Sequence, residues 1–182
     1  MNQYVRNQFT LQYKTTVGAD FLTKTIQKKD ASISLQLWDT AGQERYNSIS
    51  TGFYRNAETC VLVFDLTVPE TFEKVDTWRK AFLQSLNPPE GEKFPFVLLG
   101  NKSDMKEQIK VNDDDIREYC IENNDMPYFS VSAKSGENVQ EAFSKIADLA
   151  YERNTVNDEV ILPEIKPLQI QPSEPEKKRC CK

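Results

Sequence analysis

Three short apolar runs, Cys60–Leu66, Phe94–Gly100 and Tyr128–Val131, set the folding problem for this chain. Each is nearly continuous in apolar residues rather than alternating, as in a parallel strand covered on both faces. Stretches with helical periodicity separate them. Phe72, Val75, Trp78 and Phe82 form one stripe, with Pro69 suitably near its start. Ile116, Tyr119 and Cys120 form a second, behind Asn112 and the acidic run Asp113-Asp114-Asp115, which suits a helix N-terminus. Val139, Phe143, Ile146, Ala147 and Ala150 form a third. Strands alternating with helices predict an α/β fold, a mostly parallel sheet with helices on both faces. Ligands of such sheets bind beyond the carboxyl ends of the strands.

Two earlier strands have a different pattern. Ile33, Leu35 and Leu37 alternate with Ser32, Ser34 and Gln36, the mark of a half-buried strand. Leu22, Lys24 and Ile26 form the corresponding face of the preceding run, and Lys28-Lys29-Asp30 between them reads as a hairpin tip. In this phase Trp38 shares the polar face with Ser34 and Gln36. Phe21 is out of phase with Leu22 and Ile26 and joins the same outer face. Large aromatics placed outward point to an interface.

Composition narrows the chemistry. Histidine is absent, which removes Ser-His-Asp and Cys-His catalysis and the common His-containing zinc sites. A net charge of −5 gives no global basic footprint for nucleic acid. No apolar run approaches a membrane span, and the N-terminus lacks the order of a secretory signal. Cys60, Cys120, Cys180 and Cys181 suggest no disulfide framework, so a cytosolic setting is expected. The 182 residues, 38% hydrophobic, suit one domain over 1–153 and a tail over 154–182. Pro163, Pro167, Pro172 and Pro175 make that tail read as an extended linker.

Polar motifs follow the apolar runs in a fixed order: Asp39-Thr40-Ala41-Gly42-Gln43, then Asn101-Lys102-Ser103-Asp104, then Ser132-Ala133-Lys134. Taken singly, the first also suits a strand-to-helix turn and the second a polar turn after a strand. An ionised Asp104 can accept two hydrogen bonds from one edge of guanine, which adenine cannot offer. Together the motifs resemble the small GTPases of the Rab family, over about residues 1–153. The stretches Gly18–Lys24, Trp38–Arg45, Val61–Asp65 and Phe94–Val97 are most similar to the late-endosomal and lysosomal branch.

The resemblance implies GTP or GDP with Mg2+ as cofactors. Asp39 would hold magnesium through water, and the Thr16 hydroxyl would reach it in the GTP state. The Gly42 N–H would touch the γ-phosphate, and Gln43 would orient the attacking water. Asn101, Lys102 and Asp104 would read and cover the base, and Ser132, Ala133 and Lys134 would complete its pocket. Phe9 matches an aromatic packed edge-on against guanine, although a core aromatic is the alternative for it. Tyr13 joins the nucleotide-binding set. Phe21, Trp38 and Phe53 match an effector-reading triad, or else a cluster that braces the switch segments. Cys180 and Cys181, behind Lys177-Lys178-Arg179, resemble a doubly prenylated end, against a solvated basic terminus as the alternative. Leu168 and Ile170 look like the segment that the family's escort protein grips.

Implied partners are effectors, an exchange factor, a GTPase-activating protein, the escort protein and a dissociation inhibitor. No nucleic acid is implied, and a monomer is expected. The implied location is the cytoplasmic face of endosomal, lysosomal or vacuolar membranes, cycling with the cytosol.

Family members also carry G-x-x-x-x-G-K-[ST], whose backbone cradles the phosphates. That pattern does not occur in this sequence, which opens at Met1-Asn2-Gln3-Tyr4 like the family's first helix just after the phosphate loop. The expectation is therefore a P-loop small-GTPase fold lacking the first strand and the phosphate loop, with weak GTP binding. Two neighbouring strands would carry unpaired buried groups, each costing on the order of 1–3 kcal/mol. A nucleotide-free, membrane-tethered effector-binding module is the alternative to the switch. A metabolic nucleotide enzyme is disfavoured by the missing histidine and the lack of an added catalytic domain.

Overall fold

A computed structural model describes residues 1–12, 14–27, 32–42, 52, 54–88 and 93–159. Strands β1 (Ala19–Gln27) and β2 (Ser32–Thr40) form an antiparallel pair. Its register sets Leu22 opposite Leu37, Lys24 opposite Leu35 and Ile26 opposite Ile33, so the two expected apolar faces coincide. Strands β3 (Cys60–Asp65), β4 (Phe96–Asn101) and β5 (Tyr128–Ser130) form a parallel sheet with β4 in the middle. The expected hairpin tip at 28–30 lies outside the described residues.

Helices cover both faces of the parallel sheet. On one face, α2 (Pro69–Glu73), α3 (Val75–Leu86) and α4 (Asp113–Glu122) enclose Leu62, Phe64, Leu98, Phe82 and Ile116. On the other, α1 (Asn2–Arg6) and α5 (Val139–Glu159) pack Tyr4, Phe143, Ile146 and Ala147 against Val97, Leu99 and Leu35. Burying a side chain of this size contributes about 1.5–3 kcal/mol. The first helical stripe is broken in two at Lys74 (φ −82°, ψ −10°), so Phe72 and Val75 belong to different helices. Asn112 caps α4 as its position suggests, its side chain accepting the Asp114 N–H at 3.0 Å.

The odd member of the inner face of β1 is Lys24. Its ammonium donates to the Tyr4 carbonyl at 2.6 Å and lies 3.7 Å from the centre of the Tyr4 ring. That ring stacks on Phe143 at 4.1 Å. A cation on a ring face of this kind stabilises by about 0.5–2 kcal/mol, and here it ties the hairpin to α1 and α5.

One expectation needs correction. The parallel strands are not all covered on both faces: β4 is buried along almost its whole length, whereas Val63 of β3 is 59% exposed. The physical reason is the division of the sheet. Edges of β2 and β3 are not paired with each other, and both line a cleft of about 870 Å3 that also meets Met1, Leu99, Asn101 and Val131.

Gly100, next to last in β4, shows how tightly the covered half is built. A Cβ there would stand 2.9 Å from both Leu66 Cδ2 and Tyr128 Oη. Among the described residues no helix is long and apolar enough to cross a membrane. The tail with Leu168, Ile170, Cys180 and Cys181 lies outside the described residues.

Candidate functional site

The loops after β4 and β5 lie side by side at the carboxyl end of the sheet. The register places Asp65, the last residue of β3, opposite Asn101, the last of β4. From Asn101 the chain turns through Lys102, which holds a left-handed backbone at φ +71°. Lys102 Nζ reaches back to Asp65 Oδ2 at 2.6 Å. Asp65 Oδ1 accepts from the Thr67 N–H at 2.9 Å and the Thr67 hydroxyl at 2.7 Å. Desolvation pushes the Asp65 carboxyl up, but the bonds from Lys102 and Thr67 overcome it and leave it below its ordinary value. The stem of Lys102 is thereby stretched across the site by its fixed head group.

The two loops are cross-linked. Asn101 Oδ1 accepts the Ala133 N–H at 3.0 Å. Asp104 Oδ1 accepts the Ser132 hydroxyl at 2.6 Å, and Ser132 Oγ in turn accepts the Lys134 and Ser135 N–H groups at 3.2 and 3.0 Å. Asp104 Oδ2 faces Lys134 Nζ at 3.9 Å, which leaves that oxygen with acceptor capacity. Ser132 is fully buried and Ser103 nearly so. The Ala133 N–H, a donor at the rim of the expected base pocket, already has an acceptor in Asn101 Oδ1. A bound base would share or replace it.

The second half of the candidate site is sparser. Thr16 Oγ1 donates to Asp39 Oδ2 at 3.4 Å, joining the segment before β1 to the end of β2. Ala41 is buried and its N–H donates to Gly18 O at 2.9 Å. That carbonyl is aimed by the positive φ of Gly18, +76°. Gly42 follows in open space, with nothing within 4 Å of where a Cβ would stand. Desolvation raises the Asp39 carboxyl above its ordinary value; the Met1 ammonium and the Thr16 hydroxyl oppose this, and Asp20 adds to it. Among the described residues no group of three His, Cys, Asp or Glu side chains forms an all-protein metal cage.

A sequence profile described as the Ras family matches residues 1–152. The chain is 43% identical to Ras-related protein Rab-7a of Paramecium octaurelia, covering 100% of this chain and 88% of that protein. It is 44% identical to Ras-related protein Rab-7a of Dictyostelium discoideum over the same shares. With the Ypt/Rab-type GTPase ypt7 of Schizosaccharomyces pombe the identity is 46%, over 93% of this chain and 83% of that protein.

The chain belongs to the Ras family. More narrowly, it is a Rab-family GTPase of the late-endosomal branch, as the motifs and the relatives together show. The Ras-family α/β fold is the one described above.

Among the Rab motif residues, the structure joins Asn101 to Ala133 and Asp104 to Ser132 and Lys134, while Lys102 pairs with Asp65. Thr16 and Asp39 meet at a second point. Phe21 and Trp38 sit directly opposite each other on the hairpin, their rings 4.6 Å apart and 43% and 46% exposed. Phe9 is 46% exposed, so it is not a core aromatic. Tyr13, Gln43 and Phe53 lie outside the described residues. Sequence reasoning missed Asp65, Ser103 and Glu137. For Asp65 a signal existed: a carboxylate ending one parallel strand stands next to the lysine that follows its neighbour.

Proposed function

We propose that this Rab protein is a guanine-nucleotide switch that acts in traffic to endosomal or vacuolar membranes and hydrolyses GTP slowly unless assisted. The observation that carries this reading is the interlocked pair of loops after β4 and β5. It holds the Asp104 carboxylate at the end of a parallel sheet with one oxygen still able to accept. With a lone pair also left on Oδ1, the carboxylate can accept both N–H donors of a guanine edge, whereas adenine sets its one amino donor beside an acceptor nitrogen.

The phosphates would lie toward Thr16, Asp39 and Gly42. Thr16 and Asp39 offer hard oxygen donors from separate segments, a set suited to magnesium that keeps waters and phosphate oxygens as its other ligands. Bound there, the ion would neutralise charge on the phosphates. Gln43 would orient the attacking water, and Thr16 and Gly42 would sense whether the last phosphate is present. Phe21, Trp38 and Phe53 would offer the effector face, and Cys180 and Cys181 would carry the lipid.

The test is titration calorimetry of this chain with GTP and Mg2+, beside a version with a grafted G-x-x-x-x-G-K-[ST] segment. The chain alone binds weakly, the graft tightly, and both prefer guanine to adenine nucleotides. Submicromolar GTP binding by the ungrafted chain overturns the expected weakness. A graft without guanine preference overturns the switch itself.

A further inference from the structure

Glu137 lies outside every motif, yet it closes a ring around the base-reading carboxylate. Its side-chain Oε2 accepts the Ser103 hydroxyl at 2.6 Å. Its main-chain carbonyl accepts the Ser132 N–H at 3.1 Å. Ser132 donates its hydroxyl to Asp104, and Asp104 is bonded covalently to Ser103. A second strut parallels the ring, the Ser103 N–H donating to Val131 O at 3.0 Å.

The position of Glu137 is itself fixed. Gly136 and Asn138 on either side hold positive φ angles of +84° and +55°. The Asn138 amide donates to Ser130 O at 2.8 Å, pinning the turn to the end of β5. Ser103 is buried and its hydroxyl must find an acceptor. A carboxylate supplies a short, charge-assisted one, and because Glu137 itself is exposed, its charge keeps much of its hydration.

We infer that Glu137, acting through Ser103 and Ser132, is a positioning residue that sets the Asp104 carboxylate against the base and so sharpens guanine selectivity. This rests on the switch reading above. The contact most exposed to a loosened Asp104 is the one to the guanine 2-amino group, which hypoxanthine lacks.

The experiment compares GDP and IDP binding, with Mg2+, by the full chain and by E137A, E137Q, S103A and E137A/S103A. E137A and S103A each lower the preference for GDP over IDP by about fivefold, in the range of coupled hydrogen-bonded neighbours. The double variant loses no more than either single one, because one ring is broken once. E137Q keeps an acceptor for Ser103 and recovers most of the preference. A merely structural role weakens GDP and IDP equally; an unchanged ratio, or additive losses, overturns the inference.

Lack of guanine preference in the unsubstituted chain condemns the switch reading instead. The ring is then judged by amide hydrogen exchange at Ser132 and Ala133. Faster exchange in both E137A and S103A supports it, and unchanged exchange overturns it.

Discussion

The loops proposed to read the base and the Thr16–Asp39 corner both lie at strand ends, yet they are built to different standards. Asn101 with Ala133, Asp104 with Ser132, and Ser132 with Lys134 are joined by bonds of 2.6–3.2 Å in loops that follow helix-covered strands. Thr16 and Asp39 meet across a single 3.4 Å bond, at the edge of a two-stranded hairpin that shares no ladder with the parallel sheet. The difference teaches a division of labour. In the proposed switch the base never changes during a cycle, so a reader of it can be prebuilt, whereas the last phosphate comes and goes, and a sensor of it would have to be held loosely enough to respond. Low local stability is a requirement of elements that move.

The sharpest way to break this comparison is Asp104→Asn in the grafted protein. An amide presents a donor where guanine needs an acceptor, and two charge-assisted bonds are lost. Affinity for GTP and GDP should fall on the order of a hundredfold or more, while xanthine nucleotides are spared. Competition between GTP and XTP reads this directly. A GTP-to-XTP preference that does not move would remove Asp104 from base recognition.

Gln43→Leu tests the looser side. Leucine keeps the bulk but cannot hydrogen-bond water, so single-turnover hydrolysis should slow by about tenfold or more with GTP affinity largely intact. If affinity collapses together with rate, Gln43 is structural, and the phosphate side is less separable from the base side than the geometry indicates.

Smallest is the effect of Asp65→Asn, which probes the anchor of Lys102. The folded Asp65 carboxyl lies below its ordinary 3.8. Its stabilisation is therefore full above that value and is lost as pH falls through the lower folded value. Lys102 is half exposed, which limits the contribution to about 1 kcal/mol. Chemical denaturation at pH 7 and again below pH 4 should show the variant less stable at neutrality, with the gap closing in acid. A gap that persists in acid would mean the loss comes from packing rather than charge.

Much of the fold was legible in the sequence, because it is specified locally. The phase of Ile33, Leu35 and Leu37, the cap at Asn112 and the motif residues at strand ends depend on neighbours a few positions away. What escaped was set by contacts distant in the chain. Ser103 and Glu137 carry no periodicity that announces their bond. Lys24 is held on an apolar face because Tyr4, distant in the chain, supplies both a carbonyl and a ring. The exposure of Val63 follows from which strand edges pair, and an apolar run alone does not encode its neighbours.

Gly100 carries a consequence that belongs to heredity. Every missense change of a glycine codon adds a Cβ, and here any Cβ meets Leu66 and Tyr128 at 2.9 Å. Every such change therefore requires Leu66 or Tyr128 to shift. Since Asn101 is the very next residue, a lesion in packing at this position would, if the proposed switch holds, be inherited as a defect in telling one base from another.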